Sequence, residues 1–197
     1  MLCIKMSALY IGAGLDLNPL KWYKNIKEFH YVDSAPRSGH GYIKRYNGYP
    51  SHLYRPKFIE NLDNEMSKNN FRLLKILGDI RLYSNNSQKL WYHTNVSIPQ
   101  DIDKIRGINF HKLIVAGHDP HIDILNLTKN KLTFIGNTNT VYTYCEYEHD
   151  KQLTKQIHEN EKIKNRFESF EMFTNEGINK FNKWEEFILF YKNYKEH

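Results

Sequence analysis

The sequence of 197 residues predicts an α/β fold with a mainly parallel central sheet and helices on both faces. Two features of the chain predict this fold. Short apolar runs alternate with segments of helical pattern. Several of these runs stop at a glycine or a Gly-Asp pair, namely at Gly12, Gly78, Gly117 and Gly136. Because the carboxyl ends of parallel strands share one edge of a sheet, where ligands gather, these positions are expected to lie together.

The first predicted strand, Ala8 to Ile11, is followed by Gly12 and Gly14. A helix is predicted from Asp16 to Glu28, and a second strand from Phe29 to Asp33 ends in an acid. Glycines at such a turn let the backbone bend sharply and approach a ligand, and an acid at the tip of the next strand can accept hydrogen bonds from a ribose. The pattern therefore predicts a ligand that carries a nucleoside.

The middle of the chain carries further short elements and one long loop. The loop from Ser34 to Arg55, rich in glycine, tyrosine and arginine, is predicted to be a lid, with irregular surface as the alternative. Strands are predicted from Phe71 to Leu77, Ile80 to Tyr83, Lys89 to His93, Lys112 to Ala116 and Leu132 to Ile135. Helical segments are predicted from Phe58 to Met66, Asp101 to Gly107 and Ile122 to Leu127.

The chain changes character after Tyr144. The segment from Glu146 to Lys164 is charged and predicted to be helical, and Arg166 to Phe173 has no clean period, so its state is left open. An amphipathic terminal helix is indicated by the i, i+3, i+4, i+7 spacing of Trp184, Phe187, Ile188 and Tyr191. We therefore expect a domain over residues 1–144 and a helical C-terminal extension over 145–197 that packs on the same domain.

Composition limits the class of protein. Apolar residues make up 40% of the chain, and no run approaches the roughly 20 apolar residues that span a bilayer. The start from Met1 to Met6 lacks a secretory pattern, and two cysteines, Cys3 and Cys145, are too few for a disulfide framework. A soluble cytoplasmic protein is predicted. Lys+Arg 28 against Asp+Glu 22 gives a net charge of +6, which favours nucleic acid as a partner, although a solvated basic surface is the alternative.

These motifs resemble the class I S-adenosylmethionine-dependent methyltransferase superfamily, which has a Rossmann-like fold. Ala8 to Gly14 resembles the first motif of that family, and His30 to Asp33 the second, whose terminal acid binds the ribose hydroxyls. Leu77 to Asp79 resembles the third, where an Asp faces the adenine amine. Leu113 to Asp119 occupies the place of the fourth, which lines the methyl-transfer site. The resemblance covers about residues 7 to 136.

The resemblance implies S-adenosylmethionine as the cofactor. The implied cofactor-binding residues are Tyr10, Gly12, Ala13, Gly14, Asp33, Ser34, Asp79 and Gly117. Three features depart from the family pattern: Tyr10 stands where the family commonly has an acid, Asp16 replaces the usual third glycine, and the gap from Asp33 to Asp79 is long. Similar methyltransferase-like proteins occur in large DNA viruses, and the abundance of Asn, Lys, Ile and Tyr suits an AT-rich coding sequence. A viral protein would lie in the host cytoplasm.

The densest polar group at a strand exit contains His118, Asp119 and His121. A histidine there could act as general base and substrate clamp, taking a proton from the nucleophile that attacks the methyl group. A solvated loop that merely ends the strand is the alternative. No metal is expected, since His-x-x-His lacks a third ligand.

The expected activity is transfer of a methyl group to an unidentified acceptor, with nucleic acid slightly favoured over a small molecule. A catalytically inactive binding or interaction module with the same fold is the alternative, because Tyr10 replaces the family's acid. A third alternative, NAD binding, is disfavoured by the absence of G-x-G-x-x-G. No membrane partner is expected, and the oligomeric state is left open.

Overall fold

Nine strands in one mixed sheet form the centre of the protein in the computed structural model. The structure describes residues 6–12, 23, 26–33, 60, 63–64, 66–68, 70–77, 80–86, 89–93, 102–103, 105, 107–115, 120–137 and 151–195. The strands are β1 (Met6–Ile11), β2 (Ile26–Asp33), β3 (Arg72–Leu77), β4 (Ile80–Asn86), β5 (Lys89–His93), β6 (Lys112–Val115), β7 (Leu132–Asn137), β8 (Phe167–Thr174) and β9 (Gly177–Phe181). The helices are a 3-10 helix (Ile122–Leu127), α1 (Leu153–Glu159), α2 (Glu161–Lys164) and α3 (Trp184–Lys195). Within the described residues, no helix has the length and apolar character needed to cross a membrane.

The strand order is β3-β4-β5-β2-β1-β6-β7-β8-β9. The six neighbours from β5 to β8 run parallel to one another. The hairpin of β3 and β4 on one side and β9 on the other add antiparallel strands. The chain therefore builds the sheet outward from β1, first through β2 and β5 and then through β6, β7 and β8. This confirms the predicted α/β class with a mainly parallel sheet.

β1 is buried on both faces because it has a parallel neighbour on each side and packed side chains above and below. Leu9 and Ile11 point into a large core that also contains buried residues of α1 and α3. Ala8 and Tyr10 point into a smaller core on the opposite face. A strand buried in this way needs a continuous apolar run, which is what the sequence carries from Ala8 to Ile11.

Helical segments pack on both faces of the sheet. Residues 60, 63–64 and 66–68 are helical, within or just beyond the predicted helix from Phe58 to Met66, and Met66 is buried in the small core. On the other face, the predicted terminal helix is confirmed as α3. Its buried side chains are the four that the spacing selects: Trp184, Phe187, Ile188 and Tyr191.

An aromatic cluster joins α3 to the sheet. The ring of Trp184 lies edge-on to Phe134 of β7 at 5.7 Å and to Phe170 of β8 at 5.5 Å between centroids. Phe187 meets Phe134 edge-on at 5.8 Å and stacks on Trp184 at 5.1 Å. Such pairs stabilise the fold beyond the burial of their area.

The helix predicted from Asp16 to Glu28 is wrong at its carboxyl end. Tyr23 is not helical, and β2 already begins at Ile26. Tyr23 and Ile26 are buried in the small core, and Glu28 pairs with Ser7 of β1. Burial against the sheet therefore overrides the helical spacing of these residues.

The C-terminal extension over 145–197 is not helical throughout, as the fold prediction had it, since it also contains two strands, β8 and β9. β8 pairs in parallel with β7, and β9 pairs antiparallel with β8. Phe167, Phe170 and Met172 of β8 are buried in the large core, so the segment whose state the sequence left open completes the sheet. The strand predicted from Leu132 to Ile135 is confirmed and continues to Asn137.

Replacing Trp184 by Ala should lower the free energy of unfolding by about 3–5 kcal/mol, because it leaves a cavity beside Phe134 and Phe170. Chemical denaturation would measure the loss. The control is Leu189→Ala on the same helix, where the side chain is 59% exposed and the change should stay within about 0.5 kcal/mol. Equal losses for the two variants would contradict the assigned packing of α3.

Candidate functional site

The carboxyl ends of the six parallel strands meet at one edge of the sheet. At its centre, β1 ends at Ile11, β2 at Asp33 and β6 at Val115. The order of strands reverses between β1 and β6, since β2 lies on one side of β1 and β6 on the other. In open α/β sheets, ligands bind outside the strand ends at such a reversal. This edge is the candidate site.

Gly12 turns the chain at the end of β1. Its φ of 70° lies in the left-handed region, which glycine adopts without the strain that a side chain adds. Its N–H donates a hydrogen bond to the carbonyl oxygen of Val32 at 2.9 Å. The turn is therefore fastened to β2, and the predicted adjacency of the first two strand tips is confirmed.

Asp33 is the last residue of β2, as predicted. Ile11 pairs with Val32, so Gly12 and Asp33 follow at the same level of the sheet. On its other side, Asp33 pairs with His93, the last residue of β5. The backbone thus brings a glycine turn and an acidic residue to adjacent strand ends.

Several predicted site residues lie outside the described residues. They are Ala13, Gly14, Ser34, Asp79, Gly117, His118 and Asp119, together with the loop from Ser34 to Arg55. The roles expected of them remain predictions.

His121 precedes the 3-10 helix in the connection between β6 and β7. Its Nδ1 accepts a hydrogen bond from the backbone N–H of Asp123 at 3.2 Å and lies 3.4 Å from the Asp123 Oδ2. A backbone bridge joins His121 to Gln152, which precedes α1. Both the backbone and the carboxylate of Asp123 therefore face the Nδ1 side of the ring.

Tyr10 lies at the centre of the sheet with 3% of its surface exposed. Its ring is 5.7 Å from that of Tyr31 on β2, between centroids. The side chain at the position where the family commonly has an acid is therefore part of the small core.

The opposite, amino edge of the sheet is held by hydrogen bonds within the protein. The Ser7 hydroxyl donates to the Asn109 carbonyl at 2.7 Å, and Thr128 and Asn130 donate to the Asn109 Oδ1 at 3.0 and 2.9 Å. Arg166 donates to the Thr128 carbonyl at 2.8 Å. These polar groups serve to anchor the connections between strands.

A buried polar cluster that sequence reasoning missed consists of Tyr23, Lys112 and Glu171. The Tyr23 hydroxyl donates to the Glu171 carboxylate. Lys112 Nζ lies 3.7 Å from the Glu171 Oε1 and 5.1 Å from the centroid of the Tyr23 ring. The sequence signal that could have revealed this cluster is an acid between two apolar residues, Phe170 and Met172. Both of these residues are buried on β8.

The cluster meets the requirement that a buried carboxylate be paired. Glu171 is 4% exposed. It accepts a hydrogen bond from Tyr23 and forms an ion pair with Lys112. Burial raises the pKa of Tyr23 above its usual value of 10.0, and the hydrogen bond and charge of Glu171 raise it further. Tyr23 therefore stays neutral and acts as a donor throughout the physiological range.

A second buried titratable group is His30 on β2. Its Nε2 lies 2.6 Å from the Oε1 of Glu28, whose side chain is 42% exposed. Burial lowers the pKa of His30 below its usual value of 6.5, while the charge and hydrogen bond of Glu28 act in the opposite direction. The neutral ring is thus the form that the fold favours.

A cavity of about 260 Å³ lies away from the carboxyl edge, between α2, β8 and the start of α3. Buried Phe170 and Trp184 line it, and Lys164 at its rim is hydrogen bonded to Glu161 at 2.7 Å and Glu185 at 2.6 Å. Lys164, Glu161 and Glu185 are therefore paired with one another. Nowhere in the described part of the chain do three or more His, Cys, Asp or Glu residues form a group that could hold a metal ion.

Comparison of this chain with known protein families, with curated proteins and with solved structures finds no match.

The stability of the protein should fall as the pH drops below 6.5, because the unfolded chain binds a proton at His30 there while the folded chain resists it. The stability that the neutral His30 contributes is present above pH 6.5 and is lost as the pH falls toward the lower pKa of the folded state. The free energy of unfolding then changes by at most about 1.4 kcal/mol per pH unit. Denaturation of the wild type and of His30→Gln between neutral and acidic pH measures it. If the two proteins show the same pH slope, His30 is not the group responsible.

Tyr23→Phe should lower the free energy of unfolding by about 1–3 kcal/mol, since Glu171 loses a buried donor. Thermal or chemical denaturation at neutral pH measures this. Tyr194→Phe makes the same chemical change at a side chain that is 37% exposed and should have little effect. A Tyr23→Phe protein as stable as the wild type would show that the hydroxyl does not stabilise Glu171.

Proposed function

We propose that this chain is a Rossmann-like, S-adenosylmethionine-binding methyltransferase that transfers a methyl group to a nucleic-acid or small-molecule acceptor. The observation that supports the proposal most is Gly12 at φ 70°, hydrogen bonded to β2 one residue before Asp33. A turn of this kind lets a ligand approach the backbone, and the acid beside it can accept hydrogen bonds from ribose hydroxyls.

The strand order supports the Rossmann-like part of the proposal. Numbered along the chain, the six parallel strands β1, β2, β5, β6, β7 and β8 follow one another across the sheet as 3-2-1-4-5-6. This order is typical of Rossmann sheets, which bind nucleotide-containing cofactors at the reversal beside the first strand. Gly12 and Asp33 flank that reversal on the side of β2.

S-adenosylmethionine, when bound, supplies an electrophilic methyl group. The chain would contribute binding and alignment, with Gly12 close to the cofactor and Asp33 at its ribose. His121 would meet the acceptor through Nε2, since its Nδ1 faces Asp123. The net charge of +6 favours a nucleic acid as acceptor.

A second candidate function is a binding module without activity. It is favoured by the burial of Tyr10 against Tyr31, which leaves a core side chain where the family commonly has an acid. This candidate keeps the same fold and differs from the first in that no methyl group is transferred.

Calorimetry should detect binding of S-adenosylmethionine and S-adenosylhomocysteine but not of NAD. Asp33→Ala should weaken both interactions by about ten-fold or more, because charge-assisted hydrogen bonds to the ribose are lost. Glu168→Ala, at an exposed position on β8, is the matched control and should bind like the wild type.

Absence of heat with both sulfur ligands would contradict the proposal, as would equal affinities of the wild type and Asp33→Ala. Incubation with labelled cofactor and separate RNA, DNA, protein and small-molecule extracts then distinguishes the two candidates. Label in one of these fractions indicates an enzyme, and binding without transfer indicates a module without activity.

A further inference from the structure

The edge strand β3 exposes aliphatic side chains that no packing within the described part of the protein covers. Leu73, Leu74 and Ile76 are 42%, 57% and 54% exposed, the largest exposures among the aliphatic residues of the described sheet. Arg72 and Lys75 are exposed as well. A cluster of exposed aliphatic side chains of this kind typically marks a surface that a partner covers.

The backbone of β3 has a neighbour on one side only, within the part of the chain that the structure describes. β4 pairs with it in antiparallel register, and β3 ends the order of strands. The outer edge therefore presents N–H and carbonyl groups that an added strand can pair with. A register shift at Leu74 leaves that residue without a Cα partner in β4.

The register also divides the side chains of β3 between two faces. Leu73 pairs with Tyr83 and Ile76 with Arg81, two residues apart on β4, so both lie on the side of the small core. Arg72 pairs with Ser84 and Lys75 with Leu82, so both lie on the side of the large core. One face of the edge strand therefore carries the apolar Leu73 and Ile76, and the other, called its basic face here, carries Arg72 and Lys75.

We propose that β3 receives an added strand from a partner protein, and that the added segment alternates apolar and acidic residues. Side chains alternate between the faces of a strand, so such a segment places apolar residues beside Leu73 and Ile76 and carboxylates beside Arg72 and Lys75. A second copy of this chain is the poorer occupant, because antiparallel pairing of two β3 strands brings their basic faces together. This proposal does not depend on the cofactor site.

The probe is a short capped peptide in which isoleucine and glutamate alternate, and the control peptide alternates isoleucine and lysine. Fluorescence anisotropy of labelled peptides should show binding of the first and not of the second, and added salt should weaken it. Hydrogen exchange should slow at the amides of β3 when the glutamate peptide is bound.

Two substitutions at exposed positions test the two faces. Ile76→Lys should weaken binding of the glutamate peptide by about ten-fold, and Lys75→Glu should reverse the preference between the peptides. Leu189→Lys on α3, where the leucine is 59% exposed, is the matched control and should leave binding unchanged.

The proposal is overturned if the glutamate peptide does not bind, if both peptides bind equally, or if the protected amides lie outside β3. Ultracentrifugation of the protein alone tests whether a second copy of the chain binds at β3 instead. A dimer whose β3 amides are protected would identify a second copy as the partner and would overturn the proposal of an acidic segment.

Discussion

Parallel pairing of β1 with β2 on one side and β6 on the other is the interaction on which the rest of the structure depends. It buries β1 on both faces, with Leu9 and Ile11 in one core and Ala8 and Tyr10 in the other. It also sets the point at which the order of strands reverses. Because parallel strands end at the same edge, this pairing brings Gly12 and Asp33 to neighbouring strand ends.

The same sheet extends to the C-terminal part of the chain through β7, β8 and β9. Two kinds of contact hold this part. On one face, the aromatic rings of α3 pack on Phe134 and Phe170. On the other, Tyr23 reaches across 148 positions of sequence to Glu171. A buried carboxylate is stable only with its partners, so this cluster ties the connection between β1 and β2 to β8.

The placement of Gly12 and Asp33 in the candidate site follows from local sequence. The apolar run before Gly12 predicts a buried parallel strand. Asp33 ends the next apolar run, which predicts that it lies at the carboxyl end of the second strand. The strand and the position of the acid can both be predicted from the periodicity of side chains and the conformational freedom of glycine. The orientation of His121 could not be predicted, since it depends on the Asp123 N–H that binds its Nδ1.

The sequence by itself determined the elements whose pattern is strong: the strands around β1, the hairpin of β4 and β5, and the amphipathic α3. The tertiary structure alone decided the state of Ile26–Glu28, of β8 and of β9. These segments have weak or mixed periodicity, and the free energy that orders them comes from pairing with β1 and β7 and from burial of side chains such as Ile26 and Phe170. A local pattern cannot contain that contribution, because the partners lie far away along the chain.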